Sequence, residues 1–166
     1  MKHILIILLT LLPGLTFSTP IWILTSQGYG PIRPGMTPSE AEHLLESNLR
    51  TKNHRPLEPE CGHLYPTKGH RGISLMIQNG RITRITATTK DVATKSGVRV
   101  GDPATKLQSL FGESLEIEPH KYDDTGKYYY VWEPGKQRGV KFEVIGGLVQ
   151  SIHAGDESIS LVEGCS

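Results

Sequence analysis

The apolar positions of the chain begin as one run. Ile4 to Leu12 is apolar apart from Thr10, follows Lys2 and His3, and is ended by Pro13-Gly14. Thr16-Phe17-Ser18 then sets small residues three and one before a cut. A basic start, a short apolar centre and a small-x-small end make an export signal over residues 1–18. The run is shorter than the roughly 20 residues that a membrane-spanning helix needs. After it, the apolar positions recur with two other periods. Ala41, Leu44, Leu45 and Leu49 fall at helical spacing behind Thr37-Pro38-Ser39-Glu40, a capping box with proline at the first helical position. Leu107, Leu110 and Phe111 form a second such face, with Asp102 as cap, Pro103 opening it and Gly112 closing it.

Elsewhere the period is two. Ile73, Leu75 and Ile77 alternate with polar or flexible side chains up to Asn79-Gly80, a strong hairpin signal, and Arg81 to Thr88 returns as the partner strand. Val140 to Ile145, Gly146-Gly147 and Leu148 to Ala154 repeat this arrangement. In both returning strands the apolar phase slips, between Ile82 and Ile85 and between Val149 and Ile152, which predicts a bulge in each. Glu60 to Tyr65, Leu115 to Tyr122 and Lys127 to Trp132 read as further strands.

The two halves keep step. Gly30 to Gly35 corresponds to Ser96 to Gly101, and Ala41, Leu44, Leu45 and Leu49 to Leu107, Leu110, Phe111 and Leu115, at one offset. After one inserted residue, Arg71-Gly72 matches Arg138-Gly139, and Gly80, Ile82, Ile85 and Ala87 match Gly147, Val149, Ile152 and Ala154. The expected fold class is therefore α+β, as two tandem repeats, each a helix packed on an antiparallel β-sheet. The expected division is a signal over 1–18, a first repeat over 19–89 and a second over 90–166. Ile32-Arg33-Pro34-Gly35-Met36-Thr37-Pro38-Ser39-Glu40-Ala41 is similar to the helix start of the small outer-membrane assembly lipoproteins. Two such units in tandem resemble the β-lactamase-inhibitory protein. The resemblance implies an exported, non-enzymatic protein that binds a macromolecule through an open sheet face. The chain departs from those families in lacking a cysteine near the cut and in having two cysteines rather than a disulfide in each unit.

Composition narrows the choice of function. Among 166 residues, 18 Lys and Arg face 17 Asp and Glu, and Lys2 leaves with the signal. A chain so balanced has no excess of cations for neutralising phosphates, so nucleic acid is not an expected partner. Cys61 and Cys165 are the only cysteines, and an oxidising compartment pairs them. The expected location is periplasmic or extracellular, in or outside a bacterial envelope, with no transmembrane span once the signal is removed.

The candidate chemistry is sparse. Asp124-Thr125-Gly126 matches the aspartic-protease triplet but sits at a polar strand tip, where it reads as a hairpin loop with glycine at a left-handed position. Cys61 and His63 lack a second ligand pair, so no metal and no cofactor is expected. No catalytic residue is assigned. The expected binding residues are His120, Lys121, Tyr122, Tyr128, Tyr130 and Trp132, because alternation sets Tyr128, Tyr130 and Trp132 on one face of a strand. A second polar group, His63, His70 and Arg71, would face the same side if the repeats pack edge to edge. The expected function is an exported binding module, an inhibitor or envelope-assembly partner, whose partner is another exported protein or an envelope component. The alternatives are a small periplasmic enzyme, for which His120 paired with Asp124 in a cleft is the minimum sign, and a structural envelope protein without a ligand.

Overall fold

A computed structural model describes residues 21–58 and 60–165. The signal read over residues 1–18 lies outside the described residues. The elements in chain order begin with β1 (Leu24–Thr25), β2 (Gly28–Tyr29), α1 (Pro38–Leu45) and β3 (Leu49–Arg50). There follow β4 (Cys61–Pro66), β5 (Ile73–Gln78), β6 (Arg81–Ala87), α2 (Ala104–Phe111) and β7 (Glu116–Pro119). The last three strands are β8 (Lys127–Trp132), β9 (Gly139–Ile145) and β10 (Leu148–Gly155). Short 3-10 turns occupy Lys52–His54, Gly112–Ser114 and Glu157–Ser160.

The chain does not build two separate helix-on-sheet units. Eight strands form one antiparallel sheet in the order β3-β4-β5-β6-β10-β9-β8-β7, and the protein is mostly β. The two returning strands meet in the middle, with Ala87 opposite Ile152 and Arg84 opposite Gly155. Separate units would each leave that strand's backbone groups unpaired at an edge, and joining them removes both edges. The core is accordingly shared: Leu45, Ile73 and Ile85 belong to the same buried cluster as Leu107, Phe142 and Ile152.

Local signals map closely onto local structure. Thr37 accepts from the Glu40 amide while Glu40 reaches back to the Thr37 backbone, completing the predicted capping box. Helix α1 stops earlier than its periodicity predicts: Glu46 takes a left-handed conformation and Leu49 starts an edge strand. Helix α2 is capped differently from the expectation. Pro103 holds the cap position, and the Asp102 carboxylate instead accepts from the Arg99 amide and Lys106 Nζ. The turns at Asn79-Gly80 and Gly146-Gly147 have positive φ at all four residues. Both predicted bulges are present, because Thr83 is skipped in the β5–β6 register and Gln150 in the β9–β10 register. Cys61 and Cys165 form a disulfide with a Cα–Cα distance of 5.3 Å.

Candidate functional site

Strand alternation sends Tyr129 and Val131 of β8 to the face that carries the helices, and Tyr128, Tyr130 and Trp132 to the other. Tyr129 belongs to the main core, as expected for the helix side. The opposite face is not open, which corrects the expectation of partly exposed aromatics. Tyr128 and Tyr130 are 3% and 2% exposed and cluster with Ile159, while Trp132 is half-buried and stacks on Tyr130 at 5.7 Å. The segment 157–165, called the strap below, lies over this face and ends at the disulfide to β4.

The other expected binding residues gather at one corner of the same face. Lys121 Nζ lies 2.9 Å from a carboxylate oxygen of Glu163 in the strap, and the Tyr122 hydroxyl donates to that oxygen. Glu163 is held below the ordinary carboxylate range by those two contacts, Tyr122 first. His120 is buried: its Nε2 meets Glu143 at 2.8 Å, its Nδ1 accepts from the Tyr122 amide, and its ring lies against Tyr128. It therefore pairs with Glu143 and not with Asp124. The triplet at 124–126 is a loop, as expected, but Gly126 is not left-handed. A Cβ there would stand 2.7 Å from the His120 Cβ, so close approach explains the glycine. His63 lies beside Gly164 of the strap, whereas His70 contacts Tyr29 and lies tilted against Trp22, so the expected second cluster is divided.

Beneath the strap lies a polar network that sequence reasoning missed. His153 Nδ1 is 2.9 Å from the Thr86 hydroxyl, and its Nε2 is 2.8 Å from Ser151 Oγ. Ser151 donates to Glu143 at 2.6 Å. Burial pushes His153 down to about 4, opposed by Glu143. Glu143 is driven well below the usual carboxylate range by His153, against its own burial, and by His120 and Ser151. Lys141 is 2% exposed, with its ammonium 5.1 Å from the Tyr128 ring centroid. Burial, then the neighbouring Arg84, lowers it to about 8 against the pull of Glu143 and Glu118. Alternating polar residues on β6, β9 and β10 are the sequence signal, and they resemble an ordinary solvated face.

A serine, a histidine and a carboxylate in contact invite comparison with a nucleophilic triad. Such a triad needs the serine proton to point at the imidazole, with the acid on the far ring nitrogen. Here the serine proton goes to the carboxylate, Nε2–H donates to Ser151, and Thr86 donates to the far nitrogen, as assigned from the bonding pattern. That order denies the serine an imidazole base, leaving as its proton partner a carboxylate held well below the usual range and therefore weakly basic. Among the described residues, no group of three His, Cys, Asp or Glu side chains is arranged to hold a metal ion.

An open site exists on the helix face. A cavity of about 370 Å³ is walled by Leu24, Phe111, Val131, Val140 and Phe142, with Trp132 at its border. Thr25, Ser26, Thr94, Lys95, Ser96 and Glu133 supply its polar lining. Strand β1 is fixed there by Leu24 N–H donating to Ala93 O at 2.9 Å and Lys95 N–H donating to Leu24 O at 3.0 Å. Ser26 and Gln27 bond to the Glu133 carboxylate and lower its pKa, Ser26 first. The walls come from distant parts of the chain, so no sequence motif announces the cavity.

No helix of the described residues is long and apolar enough to cross a membrane. No family model and no curated protein matches the chain. Among solved structures, it is similar to the uncharacterized protein yfeY from Escherichia coli, at 18% identity and a TM-score of 0.42, covering 80% of this chain and 99% of that one.

Proposed function

We propose that the protein is an exported, non-enzymatic binding protein whose apolar cavity receives a small ligand with an apolar body. The cavity carries this reading. Its volume falls within the range of small-molecule sites, and aliphatic and aromatic side chains wall it beside a polar set that includes Thr94, Lys95 and Glu133. Burying an alkyl or aryl group there gains roughly 0.8 kcal/mol per methylene removed from water. The exposed Lys95 in the lining suits a ligand whose polar end is anionic. Export is supported by the disulfide and by the signal pattern of residues 1–18. The non-enzymatic reading is supported by the bonding order around Ser151, which directs the hydroxyl to a weakly basic carboxylate and not to the imidazole.

The test is a titration of the oxidised protein with a medium-chain fatty acid, followed by Trp132 fluorescence in a Trp22→Phe background. Saturable binding is expected, weakened at least tenfold by Val140→Phe, which fills the cavity from a half-buried position. A folded Val140→Phe protein that binds as well as its parent, or a parent that binds nothing, overturns the reading.

A further inference from the structure

The strap makes contacts of the kinds a bound peptide makes. Ile159 is fully buried against Tyr128, Tyr130 and Trp132. It occupies a hole above Gly139, where a Cβ would lie 3.1 Å from the Ile159 Cδ1. Arg84, 4% exposed, donates from one guanidinium nitrogen to the Ser158 carbonyl at 3.0 Å and to the Leu161 carbonyl at 2.9 Å. Its Nε is buried with no hydrogen-bond partner. Glu163 meets Lys121 and Tyr122, and Gly164, in a left-handed conformation, lets the chain pass over Arg84 and His63. Leu161 and Val162 between these anchors face outward.

The backbone hydrogen bonds of the strap separate it from the sheet. Ile159 donates to Asp156 and Leu161 to Ser158, both local turns. Among the described residues, the main-chain bond nearest the strap that reaches the sheet is Asp156 N–H to Thr83 O, just before the strap starts. The strap is thus held as a ligand is held: a side-chain knob in an aromatic hole, two carbonyls on a guanidinium, one carboxylate on a cation. The disulfide adds a covalent latch at the far end.

We propose that the sheet face bearing Tyr128, Tyr130, Trp132, Arg84 and Lys121 is a peptide-binding groove occupied by the protein's own strap, and that opening the Cys61–Cys165 latch admits a partner segment of like chemistry. That chemistry is an aliphatic side chain with free carbonyls beside it and an acidic side chain further along. The latch opens by thiol–disulfide exchange with a dithiol. Two electrons and two protons pass to Cys61 and Cys165, and the dithiol closes to its own disulfide through a mixed-disulfide intermediate. While the latch is closed, the strap competes at a millimolar effective concentration and the groove admits nothing else. Once it opens, the strap loses its anchor on β4 and exchanges.

The probe is a fluorescent peptide of residues 157–164, compared with the same peptide carrying Ile159→Asp. The receiving protein is the full chain with Cys61→Ser, Cys165→Ser and Ile159→Asp, which unlatches and weakens its own strap but leaves the groove intact. Fluorescence anisotropy is expected to show the native-sequence peptide binding at least tenfold more tightly than the Asp peptide, and at least tenfold more weakly to the oxidised parent. Equal binding of the two peptides, or no binding by a folded variant, overturns the proposal. Should that variant fail to fold, amide exchange in the parent decides. Reduction with dithiothreitol is expected to speed exchange at Ile159 and Leu161 at least tenfold and to leave both amides exchanging faster than the central strands, whose own rates follow the loss of global stability. Unchanged strap exchange refutes the latch. A reduced parent that elutes as a dimer by strap exchange would assign the groove to a second copy and overturn the partner.

Discussion

Lys141→Met should stabilise the protein at neutral pH. The side chain is almost fully buried, its ammonium faces the Tyr128 ring, and Arg84 adds a second positive charge nearby. Folding lowers its pKa from 10.5 to about 8. A displacement of that size, at roughly 1.4 kcal/mol per pH unit, is about 3 kcal/mol. The sign follows from linkage. The folded state binds the proton less readily than the unfolded chain, so the cost is fully present below pH 8 and is relieved as pH rises toward 10.5. Methionine fills similar space without the charge. It forfeits the cation–π contact, worth roughly 1–2 kcal/mol at a desolvated site. The expected net gain is about 1–2 kcal/mol at pH 7. Urea unfolding at a series of pH values between 7 and 10.5 measures it, and the difference between variant and parent should narrow across that range. A variant less stable than its parent at pH 7, or a difference that does not change with pH, would show that Lys141 is stabilised as a cation and refute the reasoning.

Three further outcomes are expected. Replacing both Cys61 and Cys165 with serine frees an unfolded chain closed over a sequence separation of 104, which corresponds to a loss of up to about 4–5 kcal/mol in loop-closure entropy; a loss below about 1 kcal/mol in urea unfolding would contradict this. Gly28→Ala should cost more than about 2 kcal/mol in thermal unfolding, because φ is +139° and the added Cβ would lie 1.8 Å from the Ile32 carbonyl oxygen. His153 is neutral in the folded state down to about pH 4, so the unfolded chain gains the proton first and stability falls as pH drops from 6.5 to 4. His153→Gln should flatten that slope, and a parent whose stability is level across the window would exclude the mechanism.

Features set by neighbouring residues were legible. The capping box at Thr37 to Glu40, the two left-handed turns and the bulges at Thr83 and Gln150 each follow from a few adjacent side chains. The cysteine pair was legible from compartment and count. The joining of β6 to β10 was not, because two half-buried strands show the same alternation whether they end a sheet or continue one. Alternation places Tyr128, Tyr130 and Trp132 on one face, and His120, Lys121 and Tyr122 lie at one corner of it, but the burial of that face was hidden. Tyr128 and Tyr130 are covered by Ile159, which no periodicity connects to them. Lys141 and Arg84 alternate with apolar residues as solvated charges do, so only the strap above them reveals their burial. The cavity was invisible because its walls come from β1, the end of α2 and strands β8 and β9.

The central junction also has a consequence in time. Strand β6 is made well before β10, so its long edge must wait for its neighbour with main-chain donors and acceptors unpaired. An open edge of that kind recruits strands from other molecules, and a charged side chain on it discourages such pairing. Arg84 lies on the waiting edge. A second molecule that paired there would meet a charged guanidinium not yet covered by the Ser158 and Leu161 carbonyls that receive it in the finished fold. The arginine that is costly to bury in the mature protein thus protects the incomplete chain from its own copies until the last strand arrives.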